Sequence, residues 1–418
     1  NHPWSQSTTL PLMWPPRWIE QTEQLGTGHA VRIALESPWG KSVVAENLQL
    51  IVLPGDTPRI PPQLLSALAV EKTRDVVRVV TTIVPDAHGY GRIVRGGPAK
   101  KSILGIVEHK DASPRERKIQ EINTSIYRFD SSFLLDSVKK VTTRNAQGEF
   151  YLTDVLALAR KGKKGVGGLV WERWEDLRGV NDLWELAELR REMRDDLVRA
   201  HARAGVRFLD PLTTWIDVGV EIEAGTTVYP SVILEGKTKV GPDCILGAGV
   251  QLKDTTVGAG VQVRNGSISE SSLIEAGATV GPYAHLRPGS HIGPKAKIGN
   301  FVELKKTRIG AETSVAHLSY LGDATVGARA NIGCGFVTCN YDGRVINGER
   351  KHRTIIEDEV FMGSDCQAIA PITIGKGAYV ASGSTLNENV EPGALAIARS
   401  RQVNKPGYAA RLKPKEKT

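Results

Sequence analysis

The chain has 418 residues, 24% charged and 40% hydrophobic, a make-up for a globular protein of two or three domains. Its formal charge is +8, but residues 399–418 alone hold seven Lys or Arg against one Glu, so the excess is a C-terminal tail rather than a basic face for nucleic acid. No run of about 18 apolar residues is available to cross a membrane, and four cysteines without a CxxC pair or a His at ligand spacing argue against a disulfide framework or zinc site and fit a reducing cytoplasm.

In chain order, residues 1–18 are atypical. The chain starts at Asn1, and LPLMWPP is too short and proline-rich for a signal-peptide core. We expect it to begin inside a longer reading frame. From 19 to 180, strand-like runs (Leu48–Leu53, Asp75–Val84, Ile103–His109) alternate with amphipathic stretches such as Tyr151–Lys163. That alternation predicts an α/β layer fold with a mainly parallel sheet. A linking helix is predicted over 181–205, capped by Asn181 and ended by Gly205. Its apolar stripe is Leu183, Leu186, Leu189, Met193 and Leu197.

From 206 to 400 the chain reads in sixes: IEAGTT, VYPSVI, LEGKTK, VGPDCI, LGAGVQ, and later IEAGAT, VGPYAH, LRPGSH, IGPKAK, IGNFVE. Each six opens on an aliphatic residue, from Ile222 and Val228 to Ile292 and Ile298. This is the hexapeptide repeat of a parallel β-helix, whose triangular coils bury one aliphatic residue per side. Five-residue steps at Leu252→Val257 and Leu304→Ile309 mark shortened registers, and Arg344–Thr354 reads as an extended loop. Residues 401–418 form the basic tail.

An α/β domain followed by sixes, with EQLGTGHA, GYGRI, GIVEHKDA, IQEINT, NAQGEFYLTD, GVND, LRPG, GNFVELKK, HLSYLGDA and TCNYDG in order, resembles the bifunctional bacterial enzymes of UDP-N-acetylglucosamine synthesis. The resemblance spans roughly residues 19–401. It implies a nucleotidyltransferase-like (Rossmann-like) first domain, truncated here, and a left-handed β-helix that assembles as a homotrimer. It implies acetyl transfer from acetyl-CoA to glucosamine-1-phosphate by the β-helix. Uridylyl transfer from UTP to N-acetylglucosamine-1-phosphate falls to the first domain.

The acetyl-transfer chemistry needs a base for the amine and cations for the phosphate. His317 is the candidate base, since imidazole titrates near working pH. Arg287 and Lys305, one coil of about 18 residues apart, suit a phosphate clamp. The bland alternatives are a hydrogen-bonded surface histidine and two solvated cations. The resemblance adds Tyr320 and Asn331 at the sugar. At acetyl-CoA it adds Cys334, Asn340, Tyr341, Ser364, Ser382 and Arg399. Cys334 and Ser382 replace smaller family residues.

For uridylyl transfer, Asp56 lies just past a predicted strand, where open α/β sheets bind ligands. The resemblance makes Asp56 and Asn181 the protein ligands of Mg²⁺, a cation that needs only one or two such oxygens. Taken alone, Asn181 reads first as a helix N-cap. Gln21, Gly26 and Thr27 match the uracil segment, and Gly91, Glu108 and Asn123 the sugar positions. Ser125 stands where the family commonly has Gly. The family's opening strand, Gly-rich turn and basic phosphate grip have no counterpart, since only Arg17 is basic before Gly26. Uridylyl transfer is therefore expected to be impaired in this chain. Two alternatives stay open: full bifunctional activity from a longer gene, and a non-catalytic sugar-nucleotide-binding scaffold.

Overall fold

A computed structural model describes residues 17–70, 74–97, 101–343, 345 and 348–411. Most of the atypical opening, the end of the basic tail and part of the Arg344–Thr354 loop lie outside these. Contacts divide the chain into two compact units, one ending at Leu189 and one starting at Arg190.

The first unit is built on a six-stranded sheet: β1 (Gln49–Val52), β2 (Asp75–Ile83), β3 (Arg92–Gly96), β4 (Ser102–Val107), β5 (Glu121–Asp130) and β6 (Gly165–Val170). Helices cover both faces. α1 (Thr27–Glu36), α4 (Ser131–Val138) and α5 (Asp154–Lys161) bury Leu35, Leu134 and Leu156 against Val77, Val79 and Phe129. Between them in sequence lie α2 (Pro38–Ala45) and α3 (Pro62–Val70). Leu64 and Leu68 of α3 pack with Val80 and Ile126 in a separate core. Strand β2 supplies both cores because its side chains alternate between faces.

The layered architecture is as expected, but the sheet is not mainly parallel. Only β2 and β6 pair in parallel; β1–β5, β2–β5, β3–β4 and β3–β5 are antiparallel. The reason lies in the connections. Among the described residues no α-helix intervenes from β2 through β5, and short links reverse the chain, whereas a parallel neighbour needs a long crossover.

Helix α6 (Leu183–Arg203) starts two residues later than predicted. Its cap is Asp182, whose Oδ1 accepts the Glu185 backbone N–H at 2.8 Å. Asn181 lies outside the helix and donates its backbone N–H to the Glu185 carboxylate at 2.7 Å. Leu189 and Leu197 of the predicted stripe are buried, but Leu183 is 82% exposed in the first turn. The stop is as read. Gly205 takes φ 101°, and Val206 N–H returns to the His201 carbonyl at 3.1 Å.

The second unit is a parallel β-helix of hexapeptide repeats. Successive coils pair in register, Val228 with Leu246 and Leu246 with Val263, so one coil takes 17 or 18 residues. The aliphatic residue of each six is buried, including Val228, Leu246, Ile274 and Ile298 at 0% exposure. Each such burial contributes about 1.5–3 kcal/mol, so the stack rather than any one coil holds the fold. Val198 of α6 packs into the same core. One step is longer: Ile332 pairs with Met362, and the intervening chain holds the extended loop read from the sequence.

Candidate functional site

Among the described residues, two adjacent coils run through a corner as continuous strand. Two nine-residue strands, Lys297–Lys305 and Ser314–Gly322, pair continuously from Lys297↔Ser314 to Lys305↔Gly322. They follow the corner that other coils cross in a turn. Asn300 therefore faces His317 directly, and the Asn300 Oδ1 lies 2.8 Å from His317 Nδ1. The imidazole is solvent-exposed. The one-coil step that pairs Val315 with Ile332, Met362 and Val380 carries His317 onward to Cys334, Ser364 and Ser382. Ser364 N–H bonds Ser382 Oγ at 3.2 Å, and Asp365 N–H bonds the Cys334 carbonyl at 2.7 Å. A Cβ on Gly383 would meet Arg399 Cδ at 3.5 Å, so Arg399 lies over the end of this column. The candidate base and four of the acetyl-CoA positions thus share one corner.

Arg287 and Lys305 belong to the other edge of the adjoining face. Leu286 pairs with Leu304, which puts the two cations one coil apart, as their spacing predicted. Five residues of strand separate this column from His317, at most about 16 Å of extended chain, with Tyr320 between them. Arg287 is not free: its Nη1 donates to Glu303 Oε1 at 2.8 Å. Tyr320 and Asn340 converge over Gly322, where any Cβ would strike both the phenol oxygen and the amide nitrogen. Asn340 is buried and donates Nδ2–H to Asp323 Oδ2 at 2.7 Å. Tyr341 is exposed, with Lys351 Nζ 4.2 Å above its ring. Asn331 is half-buried, on the rung after Ser314.

In the first unit a cavity of about 700 Å³ opens at the carboxyl end of β1. Thr27, Asp56, Glu108 and Asn123 line it. Gly91 sits behind the lining, beside Glu108 and Asn123. A Cβ there would lie 3.2 Å from a Glu108 carboxylate oxygen, and its carbonyl accepts Asn123 N–H at 2.9 Å. Burial pushes the Glu108 carboxyl above the usual range; Asp111 and Asp154 add to this and the bond from Thr153 Oγ1 opposes it. Ser125 takes the left-handed conformation, φ 58°, where a glycine would be unstrained.

Gln21, Gly26, Gly91 and Asn181 stay off the lining among the described residues. Gln21 Nε2 is 2.9 Å from His29 Nδ1. Gly26, at φ 103°, is required by its own chain: a Cβ would sit 2.8 Å from the Phe150 carbonyl oxygen. The Asp56 carboxylate faces Gly179, and Val180 N–H bonds the Asp56 carbonyl at 2.9 Å, which leads the chain on to Asn181. Asn181 Nδ2 donates to the Glu185 carboxylate at 3.2 Å. A carboxylate and an amide oxygen form a hard donor set that suits Mg²⁺. No group of three or more His, Cys, Asp or Glu side chains among the described residues has metal-site geometry.

No family model matches the chain. Individual relatives do. It is 46% identical over 400 residues to the bifunctional protein GlmU of Streptomyces coelicolor, covering 95% of this chain and 81% of that one. The Brevibacillus brevis GlmU is 45% identical over 399 residues, covering 95% and 84%. The chain belongs to the GlmU family of bifunctional proteins. The resemblance drawn from the motifs is thereby borne out. The UDP-N-acetylglucosamine acyltransferase from Campylobacter jejuni, a solved structure, shares 15% identity over 48% of this chain and 80% of its own. Its TM-score is 0.32, too low to argue from.

Several residues that line the first-unit cavity or touch His317 and Asn340 were not singled out by sequence reasoning. Tyr90, Tyr127, Tyr151 and Thr153 line the first-unit cavity. Burial raises the Tyr151 phenol to about 12, with Asp111 and Glu108 adding to it. Tyr151 and Thr153 lie in NAQGEFYLTD, a family segment whose end was also read as the start of an amphipathic stretch. Helix α5 begins at Asp154, which leaves both side chains to the preceding loop. Asn300 lies in GNFVELKK and Asp323 in HLSYLGDA, two family segments whose other residues took the attention.

Proposed function

We propose that the chain makes UDP-N-acetylglucosamine in two steps, acetylating glucosamine-1-phosphate from acetyl-CoA in the β-helix and uridylylating the product from UTP in the first unit. What supports the acetyl half most is the shared corner of His317, Cys334, Ser364 and Ser382, beside a face carrying Tyr320, Lys305 and Arg287. In this reading Arg287 and Lys305 hold the phosphate, and Tyr320 and Asn331 hold the sugar. Cys334, Ser364, Ser382, Tyr341 and Arg399 bind the coenzyme. His317 Nε2 takes a proton from the sugar amine as its nitrogen attacks the thioester carbonyl. The C–S bond breaks, and the coenzyme leaves as a thiol after taking a proton. Asn340 has one amide N–H held by Asp323 and a second for the carbonyl oxygen.

In the first unit, Thr27 with the Gln21–Gly26 turn takes the uracil, and Gly91, Glu108 and Asn123 take the sugar. Asp56 and the Asn181 amide oxygen would hold Mg²⁺, which when bound neutralises phosphate charge during transfer. The expected weakening of uridylyl transfer rested on the residues before Gly26; no observation supports it, and residues 1–16 lie outside the described ones. Both activities are therefore proposed, in a homotrimer working in the cytoplasm. No helix among the described residues is long and apolar enough to cross a membrane.

Two separate assays on the purified chain test this. CoA release with glucosamine-1-phosphate reports one half, and pyrophosphate release from UTP with N-acetylglucosamine-1-phosphate the other. Binding of either sugar phosphate without turnover would instead favour the non-catalytic scaffold. Unchanged CoA release after His317→Ala would remove the proposed base.

A further inference from the structure

We propose that Asn300 is a positioning residue for acetyl transfer: its carboxamide oxygen holds His317 Nδ1 as the hydrogen-bond donor and so leaves the Nε2 lone pair free for the amine proton. The inference rests on His317 being the base. Neutral imidazole has one N–H and one lone pair, and the group at one nitrogen decides which is which. With the Asn300 Oδ1 at 2.8 Å, Nδ1 must carry the proton. Were the amide nitrogen turned to the ring, Nδ1 would accept, Nε2 would be protonated, and no base would face the substrate.

The backbone is built to make this contact. Corner-following strands put Asn300 and His317 on one rung, where other coils turn away. Gly299 makes the approach possible, since any Cβ there would collide with the Ala316 carbonyl. The partner is also uncharged. A carboxylate at 300 would fix the same tautomer but would favour the imidazolium. Charge around the ring is sparse. The strand Ser314–Gly322 and the segment Asn331–Cys339 carry no charged side chain, and Lys297, Glu303 and Lys305 lie on the Asn300 strand. The Cys334 thiol follows one coil on.

The test compares Asn300→Ala and Asn300→Asp in the full chain by CoA release across pH. Asn300→Ala should lower kcat on the order of 10- to 100-fold, as loss of an orienting partner does, with little change in the aminosugar-phosphate KM. Asn300→Asp should restore most of kcat at high pH and move the acidic limb of the profile upward by about one unit. A purely structural role would move neither the limb nor the split between kcat and KM. Unchanged kcat in Asn300→Ala, or an unmoved limb in Asn300→Asp, overturns the proposal; the second decides if the alanine variant does not fold. Should His317→Ala keep full CoA release, the base assignment fails instead, and the two failures are told apart.

Discussion

The Asn123 carboxamide oxygen accepts two hydrogen bonds, from the Ser125 backbone N–H at 3.1 Å and from the Tyr127 hydroxyl at 2.9 Å. The first holds Ser125 in the left-handed region, which costs a non-glycine residue about 1–2 kcal/mol. The second satisfies a phenol that is 2% exposed. Asn123→Ala should therefore destabilise the first unit by about 1–3 kcal/mol, because a buried hydroxyl loses its partner. Tyr127→Phe removes donor and demand together and should cost about 1 kcal/mol. Ser125→Gly should gain up to about 1 kcal/mol, strain relief outweighing the added freedom of the unfolded chain. Urea unfolding of the three variants checks the order. Equal losses for Asn123→Ala and Tyr127→Phe would show that the Ser125 bond holds nothing.

Glu108 sets a pH dependence of the opposite sign to most carboxylates. Burial raises its folded-state value above the ordinary one, so the folded protein binds this proton more tightly than the unfolded chain does. Its contribution is complete below the ordinary carboxylate range and is lost as pH rises through the raised value. Glu108→Gln should thus stabilise the first unit at neutral pH and flatten the decline across that window. Thermal melts from acid to neutral pH would show it. A steeper decline in the variant would mean that Glu108 is held as an anion.

These two sites also show what the sequence can carry. Period-six aliphatics such as Val228 and Ile298 identified the solenoid because each buries one side chain per coil face, a strictly local rule. The column of Cys334, Ser364 and Ser382 came instead from the family resemblance, since the long step from Ile332 to Met362 departs from a constant coil length. Strand direction in the first unit did not follow, since the turns between β2 and β5 determine it and the hydrophobic runs do not. Asn181 and Asp182 both cap helices well, and only the Glu185 contacts distinguish them. Asn300 was hidden for another reason: a turn in an ordinary coil would aim it away from His317. The long paired strands that set it opposite His317 look like any other six.

Metal removal should separate the two proposed activities. Asp56 and the Asn181 amide oxygen belong to the first unit, and nothing proposed for His317 requires a cation. EDTA should abolish pyrophosphate release and leave CoA release within about twofold, and excess Mg²⁺ should restore the former. Asp56→Ala should reproduce the EDTA effect without rescue at ordinary Mg²⁺. Loss of CoA release on chelation would contradict a metal-free acetyl site.

The Arg287–Glu303 pair would make the proposed phosphate clamp a competition. Both side chains are about 40% exposed, 37% and 41%, so their ion pair contributes roughly 0–1 kcal/mol. A sugar phosphate offers Arg287 two charge-assisted bonds and should displace the carboxylate. Glu303→Gln removes the competitor. It should lower the KM for glucosamine-1-phosphate by up to about fivefold, the ratio that 1 kcal/mol sets. Arg287→Ala should raise that KM by about 10- to 100-fold with kcat nearly kept, because a ground-state contact is lost. Arg287→Lys should recover only part, since a point charge cannot reproduce the planar fork. Steady-state CoA release at low and high salt measures all three. A higher KM in Glu303→Gln would assign Glu303 to the sugar itself and leave Lys305 as the main phosphate contact.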